Sequence, residues 1–419
     1  MVLPFALLAA ALTGCTLNDP TDRTSQKPRA AAPRGGTAAA LSTYFPPPET
    51  RGGWRKARTS SDVAAVGMDL TKLNALGAYT MGLPWQNYST GVSGFDPRNK
   101  ATLVIKNGWL VGEYYNREAA RTAVYYLASN GKTFAMMLLG RLQLDYPALA
   151  IAPGSRLYDQ RWLPEGFPLS DARKANITLD HVFRHASGII PQDETAIADG
   201  AVRTEAGWDF APFTVGKDPD WRASGPLYFP PGSPSRYTKG STYSSVAYNH
   251  FSLLFRRVTK LEPGAYLRSG ILNPIGVGRM DYKRTRGMAD YQWATAGNGL
   301  AGARDFGRLA YLLLHEGNWA GRRIFASSWI RTFTTVPAYP NIRSNHDCYW
   351  GTAYPKDLYS TVGSGMNRAI VVPSLDLVAT INGRLPNNRQ EEVMRNFLQK
   401  LFAAVTQRYV TCGGRTVNG

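Results

Sequence analysis

The sequence predicts an α+β fold: an antiparallel sheet assembled from both ends of the chain, flanked by helices, with a mainly helical second lobe inserted between them. Three observations predict it. Two alternating apolar runs, Thr102-Leu-Val-Ile-Lys and Trp109-Leu-Val-Gly-Glu-Tyr-Tyr115, flank Asn107-Gly108, the strongest short-range signal for a β-hairpin. Two more strand patterns, Arg368-Ala-Ile-Val-Val and Asp376-Leu-Val-Ala-Thr-Ile, stand near the other end. Between these ends, residues 130 to 290 carry mostly helical spacing with long polar and Pro/Gly-rich connections.

Taken in order, residues 1–14 form a short apolar segment ending in small residues. It is too short to span a bilayer as a helix and reads as a signal-peptide core. Residues 15–66 are rich in Pro, Ala, Thr, Arg and Gly without apolar periodicity, the composition of a flexible tether. Order is expected from Gly67, with a helix from Met68 to Gly77 capped by Asp69. The folded domain should span 67–406, its α/β lobe formed by 67–128 and 290–406 and its helical lobe by 129–289. Ile177 to Gly188 reads as an amphipathic helix closed by a glycine, and Ala303 to His315 as another. Gln390 to Val405 closes the domain as a helix, and 407–419 is a tail.

With 419 residues, 44% hydrophobic and 11% aromatic, the chain can bury a large core. Its net charge of +18 favours anionic surfaces. No nucleic-acid motif and no sustained Lys/Arg run accompanies it, so a generally basic surface is expected and no nucleic-acid partner. Three cysteines are present. In an exported protein Cys348 and Cys412 would pair or stand as two free thiols.

The candidate chemistry centres on Ser129-Asn-Gly-Lys132, the one Ser-x-x-Lys in the chain. At the start of a helix, residues i and i+3 share a face, so hydroxyl and amine can meet. A serine needs a base to become nucleophilic, and a lysine serves once burial or positive neighbours lower its pKa. Tyr243, before the run Ser244-Ser-Val-Ala-Tyr-Asn-His250, is a second candidate base. Val362-Gly-Ser-Gly-Met366 opens an expected strand whose glycines would let backbone amides approach a ligand. His181 and His185 stand at i, i+4, yet no third ligand accompanies them, so they read as structural and no metal is expected. No Gly-x-Ser-x-Gly elbow and no phosphate-binding loop occurs, and no cofactor is implied.

These residues together resemble the serine β-lactamase-related family, which includes class C β-lactamases, D-alanyl-D-alanine carboxypeptidases, esterases and 6-aminohexanoate-dimer hydrolases. The resemblance covers Met68 to Val405 and implies a β-lactamase/transpeptidase-like fold. It makes Ser129 the acylated nucleophile and Lys132 its general base. Ile177-Thr-Leu-Asp-His-Val-Phe-Arg-His-Ala-Ser-Gly-Ile189 resembles a characteristic structural segment. Tyr243-Ser-Ser245 resembles the Tyr-x-Asn element, with Tyr243 carrying the proton to the leaving group. Ser245 replaces the asparagine, so one substrate-positioning amide is lost. Asn298 to Asp305 and Trp319 to Trp329 follow the family as well. In place of Lys-Thr-Gly stands a stretch resembling the Gly-x-Gly-Gly-Gln of the esterase and amide-hydrolase branch. It implies that Gly363, Ser364, Gly365 and Met366 line the substrate, with an amide near Gly365 or Met366 joining that of Ser129 at the oxyanion. Arg368 is the nearest stand-in for the missing lysine. Leu12-Thr-Gly-Cys15 resembles a bacterial lipobox, implying lipidation of Cys15 and a place in the cell envelope, on the periplasmic side of a membrane.

The expectation is an exported, lipid-anchored serine hydrolase acting on a small ester, amide or peptide-like substrate. The alternatives are a penicillin-recognising β-lactamase or carboxypeptidase, and a catalytically idle cell-envelope binding protein.

Overall fold

The computed structural model describes residues 43–86, 93–162, 164, 167–169, 171–189, 227, 230–233, 243–282, 297, 299–335, 339–386 and 389–417. The signal segment, Cys15 and Asn298 lie outside these residues.

Two helices lead into the sheet. Helix α1 spans Ser60–Ala65 and α2 spans Leu70–Gly82. The Asp69 carboxylate accepts from the Lys72 amide at 3.0 Å, the expected N-cap. The hairpin forms as expected, with β1 at Ala101–Lys106 and β2 at Trp109–Tyr115. Four strands complete the sheet: β6 (Ile342–Ser344), β7 (Tyr359–Thr361), β8 (Arg368–Val372) and β9 (Leu377–Asn382). Their order is β2-β1-β9-β8-β7-β6, antiparallel throughout. The first hairpin therefore pairs with a strand from the far end of the chain, Ala101 opposite Asn382.

Alternation assigns each side chain to one of two cores. Leu103, Ile105, Ala369, Val371 and Val378 join the core of helix α6 (Ala303–Leu314). Val104, Ile370, Val372, Leu377, Ala379 and Ile381 join that of α2 and α8 (Gln390–Ala403). Both faces are covered, so β1, β8 and β9 are buried along their whole length.

The rest of the chain builds around α3, Asn130–Asp145, whose Phe134 to Leu139 are all buried. Apolar residues on every side make it a core helix, not a surface one. It packs against α5 (Ser245–Thr259) and α7 (Ser327–Thr334). A small sheet joins β3 (Val124–Tyr126), which precedes α3 in the chain, to β5 (Gly299–Gly302) and β4 (Met280–Tyr282), which follow it, and β3 runs directly into the turn that holds Ser129.

Three expectations are corrected. Residues 43–66, expected as part of a tether over 15–66, are folded. Trp54 and Val63 are 3% and 0% exposed. The buried Arg308 guanidinium donates to the Pro46 carbonyl at 2.8 Å, to the Pro47 carbonyl at 2.5 Å and to Glu49 at 2.8 Å. Pro and Gly remove periodicity but not order, since a side chain from elsewhere can satisfy an irregular backbone. Second, the helix expected from Ile177 to Gly188 is a single turn, α4 (Leu179–Phe183), capped by Thr178. It stops because His185 takes a left-handed backbone, φ 54°, to put its ring into the site described below. Third, Val362 to Met366 is the turn between β7 and β8, closed by Gly363 and Asn367 exchanging backbone hydrogen bonds.

The tail folds back as a short hairpin, Tyr409–Val410 against Thr416–Val417. Cys348 and Cys412 meet there with their sulfurs 2.05 Å apart.

Candidate active site

Ser129 caps α3, after Ala128 in the left-handed region at φ 48°. The first turn closes by i→i−3 bonds from Asn130, Gly131 and Lys132. The Ser129 N–H has no partner among the described residues, and the positive end of the helix dipole lies beside it.

The hydroxyl sits between two groups. Ser129 Oγ is 2.8 Å from the Tyr243 hydroxyl and 3.3 Å from Lys132 Nζ. Lys132 Nζ also lies 3.2 Å from Ser245 Oγ, and over the rings of Tyr243 and Tyr248 at 4.8 and 5.3 Å. The lysine is 1% exposed, and burial holds its pKa well below the ordinary value. A neutral amine at this distance can take the serine proton. Burial raises the Tyr243 pKa, and hydrogen bonds from Ser129 and Asn341 offset part of the rise.

Asn130 fastens this turn to the large sheet. Its Nδ2 donates to the carbonyls of Leu127 and Asn367 at 2.7 and 3.0 Å, and its Oδ1 accepts from Thr361 Oγ1 at 2.6 Å. Gly363 presses on the same place: a Cβ there would fall 2.3 Å from Asn130 Nδ2 and 2.4 Å from the Leu127 carbonyl oxygen. Only glycine fits so close an approach.

The structure thus brings together Ser129, Lys132, Tyr243 and Ser245, with Gly363 against the nucleophile turn. Ser364 and Gly365 continue that turn. Met366, in contrast, buries its side chain in the α2/α8 core, which leaves only its backbone for a substrate. Ser245 is 5% exposed and bonded to Lys132, so it holds the lysine and does not present itself to solvent. Arg368 lies on the same face of β8 as Ile370 and Val372, toward α2 and α8, with Nη2 4.0 Å from Glu391 Oε1 on α8.

Asn130, Asn341 and Thr361 were not picked out from the sequence. Asn130 stood inside the Ser-x-x-Lys pattern itself. Asn341 and Thr361 belong to an irregular approach and a three-residue strand, which carry no periodic signal. The His181 ring accepts from the Thr178 amide at 3.3 Å, and His185 is hydrogen-bonded to Asn341 and Ser244.

A model of the family described as beta-lactamase matches residues 91–395, a span holding every member of this constellation. The chain belongs to the beta-lactamase family. No curated protein matches the sequence. Solved structures with similar folds include a penicillin-binding protein homologue from Caulobacter crescentus. It is 15% identical, with 80% of this chain and 97% of that one covered and a TM-score of 0.56. Simvastatin synthase from Aspergillus terreus is 14% identical, with 81% and 99% covered and a TM-score of 0.54. A D-stereospecific amidohydrolase from a Streptomyces species is 16% identical, with 78% and 97% covered and a TM-score of 0.50. The architecture of this beta-lactamase-family chain is therefore the β-lactamase/transpeptidase-like fold of a serine hydrolase family.

Proposed function

We propose that this chain is an exported serine hydrolase of the esterase and amidase branch, working through an acyl-enzyme on Ser129. One observation carries the reading: a single serine hydroxyl within hydrogen-bond reach of both a buried lysine amine and a tyrosine hydroxyl. Lys132, whose charged form burial disfavours, takes the Ser129 proton as Oγ attacks the carbonyl carbon. The Ser129 amide, with an amide of the Gly363–Met366 turn, holds the oxyanion. Tyr243 passes its proton to the departing alcohol or amine; in the second half the Tyr243 oxygen takes a proton from the water that attacks the acyl carbon, and Lys132 returns its proton to Ser129 Oγ, so all three groups regain their starting states.

The absence of a Lys-Thr-Gly lysine, with Arg368 turned to α8, supports esters or amides over β-lactams. Export rests on the apolar N-terminal segment and Leu12-Thr-Gly-Cys15, with Cys15 as the lipid-bearing residue. A bond between Cys348 and Cys412 fits an oxidising compartment such as the periplasm.

The test is hydrolysis of a short-chain p-nitrophenyl ester beside a chromogenic cephalosporin, with the chain from Thr43 and its Ser129→Ala variant. The expected result is ester turnover that Ser129→Ala abolishes, with little cephalosporin cleavage. Fast cephalosporin cleavage would move the protein to the β-lactamase branch. Silence on both would favour an idle binding protein.

A further inference from the structure

A directed chain of hydrogen bonds that does not pass through Ser129 reaches the Tyr243 hydroxyl. The Ser244 amide lies 2.9 Å from His185 Nδ1. An amide N–H only donates, so Nδ1 accepts and the ring proton of the neutral imidazole sits on Nε2. That N–H meets Asn341 Oδ1 at 2.8 Å. The Asn341 amide is thereby oriented, oxygen toward the imidazole, and its Nδ2 donates to the Tyr243 hydroxyl at 3.2 Å. The His185 ring also stacks on the Tyr243 ring with centroids 4.0 Å apart. Burial and the nearby Lys132 push the His185 pKa down to about 3, so the imidazole stays neutral.

We propose that His185 and Asn341 are positioning residues that give the Tyr243 oxygen a permanent donor and aim its one proton at Ser129 Oγ. The inference rests on the proposed role of Tyr243 as proton carrier. A phenol has one proton and can accept two hydrogen bonds. With Asn341 donating, the proton is directed to Ser129, and the negative oxygen formed when it leaves keeps a partner. Had His185 the opposite tautomer, Nδ1–H would face an amide N–H, and Asn341 would turn its oxygen to Tyr243 and reverse the chain. Among the described residues, the ionisable groups around the Tyr243 ring are Lys132 from α3, Tyr248 from α5 and His185 after α4.

Two measurements on the full chain test it. The first is ¹⁵N NMR of the histidine rings, with the His185 signal assigned through His185→Gln. A neutral Nε2–H ring from pH 5 to 9 is expected, and an imidazolium or an Nδ1–H ring would overturn the proposal. The second is the pH dependence of kcat/KM on a p-nitrophenyl ester. Asn341→Ala and His185→Leu should move the midpoint of the falling limb, where Tyr243 loses the proton it must deliver, upward by about one pH unit, the size of a lost hydrogen bond to a charged oxygen. His185→Gln, which can accept and donate in the same places, should restore most of the wild-type profile. A uniform fall in rate with an unmoved midpoint would show mere structural damage and overturn the proposal. If no ester is turned over by the wild type, the proposed function falls, and the ring tautomer still decides the relay.

Discussion

Thr361 donates to Asn130 at 2.6 Å across a sequence separation of 231 residues, and this contact joins the sheet to the residue that follows the nucleophile. Asn130 is fully buried and has three partners, so the position of Ser129 depends on β7 as well as on its own helix. Asn130→Ala leaves buried partners unsatisfied, at about 1–3 kcal/mol. The expected outcome is a lower Tm together with slower acylation of Ser129 by a reactive ester, measured by calorimetry and burst kinetics. Unchanged acylation would remove this contact from the site.

Lys132 is buried with a lowered pKa, and this has a stability consequence of definite sign. Burial lowers the folded-state pKa below the unfolded one, so between the two values the unfolded state binds more protons and stability rises with pH. The cost of burying Lys132 diminishes toward its ordinary value of 10.5. Lys132→Met should therefore abolish ester turnover and raise Tm at pH 7, with the gain shrinking as pH approaches 10. Thermal scans across pH check it.

His185 gives the opposite end of the pH range. Its pKa falls from 6.5 to about 3, so between these values the unfolded state takes up a proton that the folded state refuses. Stability contributed by the neutral ring is full above pH 6.5 and is lost as pH falls toward 3. His185→Gln should flatten the decline of Tm between pH 6 and 4, measured against wild type.

Arg308 and Glu49 decide where the domain begins. The guanidinium holds two proline carbonyls and the carboxylate of an irregular segment, and that segment buries Trp54 and Val63. A chain starting at Thr43 should melt as the full chain does. One starting at Gly67 exposes apolar surface worth about 1.5–3 kcal/mol for each large side chain uncovered and should melt much lower. Equal Tm values would show that residues 43–66 add nothing.

The pair Cys348 and Cys412 closes a loop across a sequence separation of 64. Replacing both with serine should cost about 2–4 kcal/mol of stability while leaving ester kinetics intact, since the pair ties the tail hairpin to the domain. Chemical denaturation of the two proteins side by side checks it.

Much of the fold was legible because its signals are local. The Asn107-Gly108 hairpin, the Asp69 cap and the α6 and α8 patterns each depend on residues a few positions apart, where hydrogen-bond geometry and period-2 or period-3.6 burial act directly. The short strands β6 and β7 carried too few residues for a period. Residues 43–59 lacked one altogether, because part of their order comes from side chains elsewhere, Arg308 on the carbonyls of Pro46 and Pro47 among them.

The sequence by itself determined the chemical types at the centre: a serine and a lysine one helical turn apart, and a tyrosine at the head of a later helix. Helix geometry alone brings Ser129 to Lys132. Only the tertiary structure decided that Tyr243 and Ser245 complete the set, that Met366 and Arg368 face away from it, and that Asn130, Asn341 and His185 support it. Those outcomes depend on strand register and on which loop backbones approach one another, which are set by packing across hundreds of residues. No local rule carries that information.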